Sequence, residues 1–351
     1  MFIYWAMVLF PALLSLAHPA RRTVLAQIAM SVLFVALFLI LSLRETGGDY
    51  PMYLKLYELL VGASLGEAME VVEPGYGLLN WLSSQLDLGI YGVNGACALI
   101  VLYCLFSAAA RERDPLLLLT LAIPYFVIVI AMGYTRQGVA VSLVWLGMIQ
   151  MREARLGRAA IAIALGATFH FSAFAAMAFP IIAVTREQKG VAWFASRALL
   201  AAVLAFAARY LFDDTLEGYA SNYLESDRYE SGGAFLRACV TGLAAAVFFL
   251  KTRRFKAVYD DYGIWLPFAV LALAFVPLSI YASTPADRAG LYLFPFQLVG
   301  FARMPSLLWD GRYYTVMRAA IVVSYLGYFF VWLHLGTYSA ELWVPYKWLF
   351  S

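Results

Sequence analysis

Charge is what this chain has least of. Asp, Glu, Lys and Arg account for 13% of its 351 residues, against roughly a quarter in soluble domains. A water-facing surface over the whole fold is thereby excluded. The net charge of +3 is small and spread over short loops, so no nucleic-acid partner is expected. Cysteine is nearly absent. Cys97 and Cys104 share one apolar run and Cys239 begins another, which indicates neither a disulfide framework nor a zinc site. There is no glycine-rich phosphate loop ending in Lys-Ser or Lys-Thr and no His-Glu-x-x-His, so ATP-driven work and zinc-protease chemistry lack their residues. No cofactor and no metal is expected. Internal repeats and low-complexity tracts are missing as well.

What is abundant is apolar: 64% of the residues, gathered in runs near the ~20 residues that a helix needs to cross a bilayer. The expected fold is an all-α polytopic membrane protein, one bundle over 1–351. Spans are expected near 2–17, 24–43, 90–110, 116–133, 136–151, 191–210, 235–250, 263–282, 289–303 and 315–334. That is about ten helices. Residues 2–17 read as a first span rather than a cleaved leader, because Arg21-Arg22 follow the apolar run instead of preceding it.

Lys and Arg concentrate in alternate connections, as positive-inside topology requires. His18 to Arg22, Arg111 to Arg113, Arg152 to Arg158, Arg186 to Lys189, Lys251 to Lys256 and Arg303 to Arg318 mark one face. The connections 44–89, 133–136, 211–234 and 283–288 mark the other, and both termini face outward. Residues 159–184 break this alternation, since both flanks are cytoplasmic in character. The reading that restores it is a re-entrant hairpin of two half-helices meeting near His170, a place where backbone survives only if protein covers it or it lines a wet cavity; the alternative is one tilted span that breaks the alternation locally. The outer loop 44–89 is expected to carry interfacial helices, one with Tyr53, Leu56, Tyr57 and Leu60 against Lys55 and Glu58, another from Gly77 to Leu86.

Polar groups within or at the rim of a membrane are costly, so five places stand out. Arg44-Glu45-Thr46-Gly47-Gly48-Asp49-Tyr50-Pro51-Met52-Tyr53 could be a capped turn with interfacial tyrosines, or a site offering acceptors and donors. Glu73-Pro74-Gly75-Tyr76 opens a helix, for which a carboxylate before Pro is also a plain start signal. Arg136 and Gln137 begin a span from outside, where Arg either snorkels or offers its planar fork to a phosphate. Thr168-Phe169-His170-Phe171-Ser172 sits at the hairpin apex, and histidine there can take a proton near neutral pH. Ala286-Asp287-Arg288-Ala289-Gly290-Leu291-Tyr292 could hold a simple Asp–Arg ion pair. No carboxylate falls in the middle of an expected span, which counts against a proton-coupled transporter.

In order and spacing these elements, closed by Trp343-Val344-Pro345-Tyr346, resemble the EpsG-like branch of the Wzy-type polysaccharide polymerases. The resemblance runs over nearly the whole chain and implies a bundle like that of the class C glycosyltransferases. It also implies the reaction: transfer of a growing glycan from undecaprenyl diphosphate to a hydroxyl of the next lipid-linked repeat unit, at the periplasmic face of a bacterial inner membrane. The implied partners are that lipid-linked oligosaccharide, membrane lipid and a chain-length regulator. Arg136, Arg288 and Arg44 would meet the diphosphate, with Gln137, Tyr50, Tyr53, Tyr292 and Tyr346 contacting sugar or phosphate. The base is His170 or a carboxylate, Asp49 or Glu73. Two other readings stay open on the residues: a different polyprenyl-linked sugar transferase, and a lipid-linked oligosaccharide transporter, which would show pseudo-symmetric halves.

Overall fold

The computed structural model describes residues 1–17, 24–185, 190–191, 195, 197–203, 205, 233–308 and 312–350. Among them the chain is helical throughout, with no strand and one isolated bridge, Arg44 to Trp348. The basic clusters His18 to Arg22 and Arg186 to Lys189, half of the span expected at 191–210 and nearly all of the loop 211–234 lie outside the described residues.

Among the described residues, four helices are long and apolar enough to cross a membrane: Gly89–Ala109, Tyr262–Tyr281, Ala286–Leu308 and Tyr313–Leu335. A fifth is reached if Ala234–Leu250 and Thr252–Val258, bent by 80°, form one span. Phe2–Ala17, Ala26–Ser42, Pro115–Ala131, Leu156–Ala167 and Phe171–Ile182 are apolar but shorter. The chain is thus an all-helical membrane protein, and the full-length helices among the described residues are fewer than the ten expected spans. Val24, Ile28, Val32, Val35 and Leu39 form an exposed apolar stripe on one helix while its Leu33, Leu37 and Leu41 are buried. An outward face that is as apolar as the inward one belongs in lipid rather than water.

The chain divides into two compact units. The first comprises 1–142 and 301–351. In it α1 (Phe2–Ala17), α2 (Val24–Ser42), α6 (Gly89–Ala109) and α7 (Pro115–Ala122) pack in succession, and the helix Arg312–Leu335 packs on α1 and α7. Beyond Ala122 the α7 helix widens into a π-helical stretch, Ile123–Ala131, and every residue of both is buried. A helix that is apolar on all sides belongs at the centre. The loop between α2 and α6 folds into α3 (Tyr50–Leu60), α4 (Leu65–Val71) and α5 (Pro74–Gln85), one helix more than the pattern indicates. Proline at the first turn starts α3, α5 and α7, where its missing N–H costs nothing. A capping box between Ser64 and Glu67 starts α4.

Two ion pairs lock the short connection ahead of α7. Arg303 donates to both oxygens of Glu112 at 2.8 and 2.6 Å. Arg318 pairs with Asp114 at 2.6 and 3.1 Å, and Asp114 also accepts from the Leu117 amide and the Tyr314 hydroxyl. All four charged side chains are buried. These arginines are two of the residues that mark the cytoplasmic face in the sequence, yet each is spent on a carboxylate from the loop 111–114.

The second unit covers 143–300. Its α9 (Leu156–Ala167) ends at a break, Thr168 to His170, and the chain returns through a 3₁₀ turn, Phe171–Met177, into α10 (Ala178–Thr185). Both returning pieces pack against α9. The helices Ala234–Leu250, Tyr262–Tyr281 and Ser283–Gly290 pack mutually. A bidentate pair from Arg237 to Asp287, at 2.6 and 2.7 Å, ties the first of these to the third.

Candidate functional site

The five polar places gather into two clusters, one in each unit. In the first unit Arg44 leaves α2 with its side chain buried. Its Nη1 donates to the Thr46 carbonyl at 2.8 Å; its Nη2 donates to Thr135 Oγ1 at 2.8 Å and reaches Asn94 Oδ1 at 3.4 Å. Its guanidinium lies 5.8 Å from the Tyr50 ring centre. Burial pushes the Arg44 guanidinium below its ordinary range, while Tyr76 and Tyr53 nearby oppose that shift. Arg44 therefore braces the turn from inside.

Gly47 holds φ at +139°, and a Cβ there would sit 2.3 Å from the Met132 carbonyl oxygen. Only glycine fits. A Cβ on Gly48 or on Gly133 would fall 2.9 or 2.8 Å from the Trp343 ring. The three residues make one wedge, closed by the Asp49 amide donating to the Gly133 carbonyl at 3.1 Å. Trp343 in turn donates its indole N–H to the Ile128 carbonyl in the π-helical stretch at 3.2 Å. The C-terminal segment runs back along the turn: the Glu45 amide donates to Lys347 O, the Gly47 amide to Leu342 O and the Leu349 amide to Leu43 O. Tyr346, expected at the substrate, gives its hydroxyl to the Ile40 carbonyl at 2.7 Å.

Beside this turn, Arg136 pairs with Glu73. Glu73 stands at the N-cap of α5 but makes no side-chain capping bond, so its carboxylate serves the arginine instead of the helix end. The Arg136 guanidinium also lies 5.7 Å from the Tyr53 ring centre and 6.0 Å from that of Tyr76. Burial raises Tyr53 to about 12, with Asp49 adding to the rise and Arg136 opposing it. Tyr76 is pushed well up, chiefly by burial, and Tyr50 is raised for the same reason. All three tyrosines are neutral hydrogen-bond donors at physiological pH. Gln137 is buried next in line.

Around the two arginines, Tyr76 Oη, Asn94 Nδ2, Arg136 Nε, Thr46 Oγ1 and Asn80 Oδ1 are buried with no hydrogen-bond partner in the protein. Each such atom costs about 1–3 kcal/mol. The Tyr76, Asn94 and Arg136 atoms are donors, a set suited to phosphate or sugar oxygens.

In the second unit His170 takes an extended conformation at the break, φ −156° and ψ 118°. Ser172 Oγ lies 2.6 Å from His170 Nδ1 and 2.8 Å from Tyr292 Oη. Tyr292 stands in the 3₁₀ turn Leu291–Leu293 that follows the helix Ser283–Gly290. Arg288 is exposed on that helix. Asp287, expected to pair with its neighbour Arg288, receives a bidentate pair from Arg237.

Sequence reasoning brought His170, Tyr292, Arg44, Arg136, Glu73 and Asp287 forward without showing which groups each of them meets. Thr135, Asn94, Arg237 and Ser172 act at long sequence separation or through one hydroxyl, and composition carries no trace of either. The signal available for Arg237 was an arginine at the third position of the apolar run 235–250, which needs a counter-charge. Among the described residues no group of His, Cys, Asp and Glu is arranged to hold a metal ion.

The sequence model described as the EpsG family matches residues 27–348, a stretch that takes in both clusters. No curated protein matches the chain.

Proposed function

Because the chain belongs to the EpsG family, the family of Wzy-like polysaccharide polymerases, we propose that it extends a glycan carried on a polyprenyl diphosphate, undecaprenyl diphosphate in a bacterial inner membrane. The bond between the glycan's anomeric carbon and the diphosphate oxygen breaks. A new bond forms between that carbon and a hydroxyl of the next lipid-linked repeat unit, and the polyprenyl diphosphate departs.

One observation carries this reading beyond family membership. The first-unit cluster sets a partly exposed arginine, Arg136, among aromatic faces and buried donors that lack a protein partner. A leaving diphosphate gathers charge as its bond breaks, and preorganised donors stabilise that charge most where water is scarce. Arg136 meets the diphosphate, with Glu73 holding its orientation. Tyr53 and Tyr76, both buried, back its guanidinium with their rings. Asp49 and Gln137 complete the polar lining, while Arg44 and Tyr346 support it from behind.

The acceptor hydroxyl must lose a proton, and His170 is the residue we assign to take it. Arg288 and Tyr292 contact phosphate or sugar near it. The break at Thr168–His170 is the apex of a re-entrant hairpin entered from the cytoplasmic face, and the catalytic residues open to the periplasm.

The test is polymer formation by the purified protein in nanodiscs, supplied with the lipid diphosphate-linked repeat unit and no nucleotide sugar. A ladder of repeat-unit multiples that disappears in Arg136→Ala and in His170→Ala is expected. A ladder surviving both would discard the site; a single-addition product would replace polymerase with a one-step transferase.

A further inference from the structure

We propose that Ser172 and Tyr292 form a directional hydrogen-bond relay that fixes His170 in the tautomer protonated at Nδ1, leaving the lone pair on Nε2. Ser172 is then a positioning residue for the proton acceptor. The inference deepens the assignment of His170 as base and rests on it for its catalytic meaning, but the tautomer itself is a property of the resting protein.

The geometry brings three groups into a row. His170 Nδ1, Ser172 Oγ and Tyr292 Oη are spaced 2.6 and 2.8 Å apart. Two segments that are not α-helical deliver them: the extended His170 leading into the turn Phe171–Met177, and the turn Leu291–Leu293. The Ala173 amide donates to the His170 carbonyl at 3.0 Å, which holds His170 and Ser172 in register. Ser172 is 5% exposed, so water does not compete freely for its hydroxyl.

A serine hydroxyl has one proton and two lone pairs. Protons in such a row therefore run in one of two directions. Running from tyrosine to serine to Nδ1, they make Nδ1 an acceptor and place the imidazole proton on Nε2. Nε2 then has no lone pair for a substrate proton, and Nδ1 is covered by Ser172. Running the other way, Nδ1–H donates to Ser172 Oγ, Ser172 donates to Tyr292 Oη, and the tyrosine proton turns onward. Nε2 is then the basic nitrogen.

Only the second direction survives protonation unchanged. An imidazolium donates from both nitrogens, so Nδ1–H to Ser172 is the same bond before and after His170 takes a proton. The first direction would require both hydroxyls to rotate during the step. Donors already in place avoid that reorganisation, and this is how the partner of one ring nitrogen sets the chemistry of the other.

The test is the imidazole nitrogen spectrum of the full-length protein in nanodiscs, labelled with ¹⁵N-histidine and held near pH 8, about 1.5 units above the ordinary histidine pKa. The chain has three histidines, and His170→Gln identifies the signals of interest. The expected spectrum has His170 protonated at Nδ1 and unprotonated at Nε2. Ser172→Ala should shift the population toward Nε2–H, and Ser172→Thr should restore the parent pattern. Tyr292→Phe, which removes the acceptor for the serine proton, should also lower the Nδ1–H fraction. It serves as the second variant if Ser172→Ala does not fold. A parent spectrum showing Nε2–H overturns the relay, as does Ser172→Ala or Tyr292→Phe with an unchanged Nδ1–H signature. No turnover is needed, so failure here is separate from failure of the polymerase reading, which the product ladder decides.

Discussion

Replacing Glu112 by Leu takes from Arg303, whose side chain is 1% exposed, the carboxylate that receives two of its hydrogen bonds. A guanidinium cannot shed its proton to escape, so it stays charged and buried. Breaking one side of such a pair costs about 3–5 kcal/mol, or about two to three and a half powers of ten in the folding equilibrium at 1.4 kcal/mol per decade. Arg303→Met strands the Glu112 carboxylate in the same way. The double substitution removes both charges and should lie within about 1–2 kcal/mol of the parent, because an apolar pair of similar volume needs no solvation. The two single effects are therefore far from additive. Asp114→Leu should be worse than Glu112→Leu by about 1 kcal/mol, since Asp114 also caps α7 through the Leu117 amide. Reversible unfolding in mixed micelles, followed by tryptophan fluorescence over an SDS titration, measures all four. Glu112→Leu within about 0.5 kcal/mol of the parent, the range of ordinary surface changes, or a double variant equal to the sum of its singles, would refute the reasoning.

Other outcomes follow from the same contacts. Gly133→Ala and Gly48→Ala each drive a Cβ into the Trp343 ring and should cost about 1–3 kcal/mol as overpacking; Trp343→Leu should recover part of that loss in the same unfolding assay. Arg237→Ala, which breaks the bidentate pair to Asp287, should cost about 2 kcal/mol and be seen as faster hydrogen exchange at Ser283–Gly290. Glu73→Gln should leave the protein folded while lowering polymer yield, and Glu73→Asp should restore part of it; equal yields in all three would remove Glu73 from the site. Burial raises Tyr53 from 10.0 to about 12. Its folded-state value exceeds the unfolded one, so this stabilisation is complete below pH 10 and lost as pH climbs through 12. Tyr53→Phe should move the alkaline unfolding midpoint upward, and an unchanged midpoint would contradict the burial of its hydroxyl.

The membrane class, the helical break beside His170 and the helix start at Pro74 were legible because each rests on local pattern: run length, a topology conflict, or a residue that fixes φ. Partner choice was not legible. Glu73 before Pro74 reads as a helix start, and nothing within a few residues reveals that its carboxylate turns to Arg136. Arg303 and Arg318 read as cytoplasmic markers because charge counting treats an arginine alike whether it meets water or Glu112. Trp343 stood out only as part of a closing motif. Its packing against Gly48 and Gly133 depends on three distant segments meeting, which no window of sequence displays.

The return of the C-terminal segment to the turn at Gly47–Asp49 has a consequence for how the protein is made. Tyr4 waits for a partner 339 residues away, and Ile40 for one 306 residues away. At roughly 5–20 residues per second, a ribosome that has just placed Gly48 needs on the order of 15–60 s to reach Trp343. Through that interval the amides of Glu45 and Gly47 stand without the carbonyls that finally receive them. Every intervening helix is inserted before the turn can close. A chain interrupted shortly ahead of Trp343 therefore carries most of the described helices while the turn at Gly47–Asp49 stays open on the side that Leu342, Trp343 and Lys347 cover.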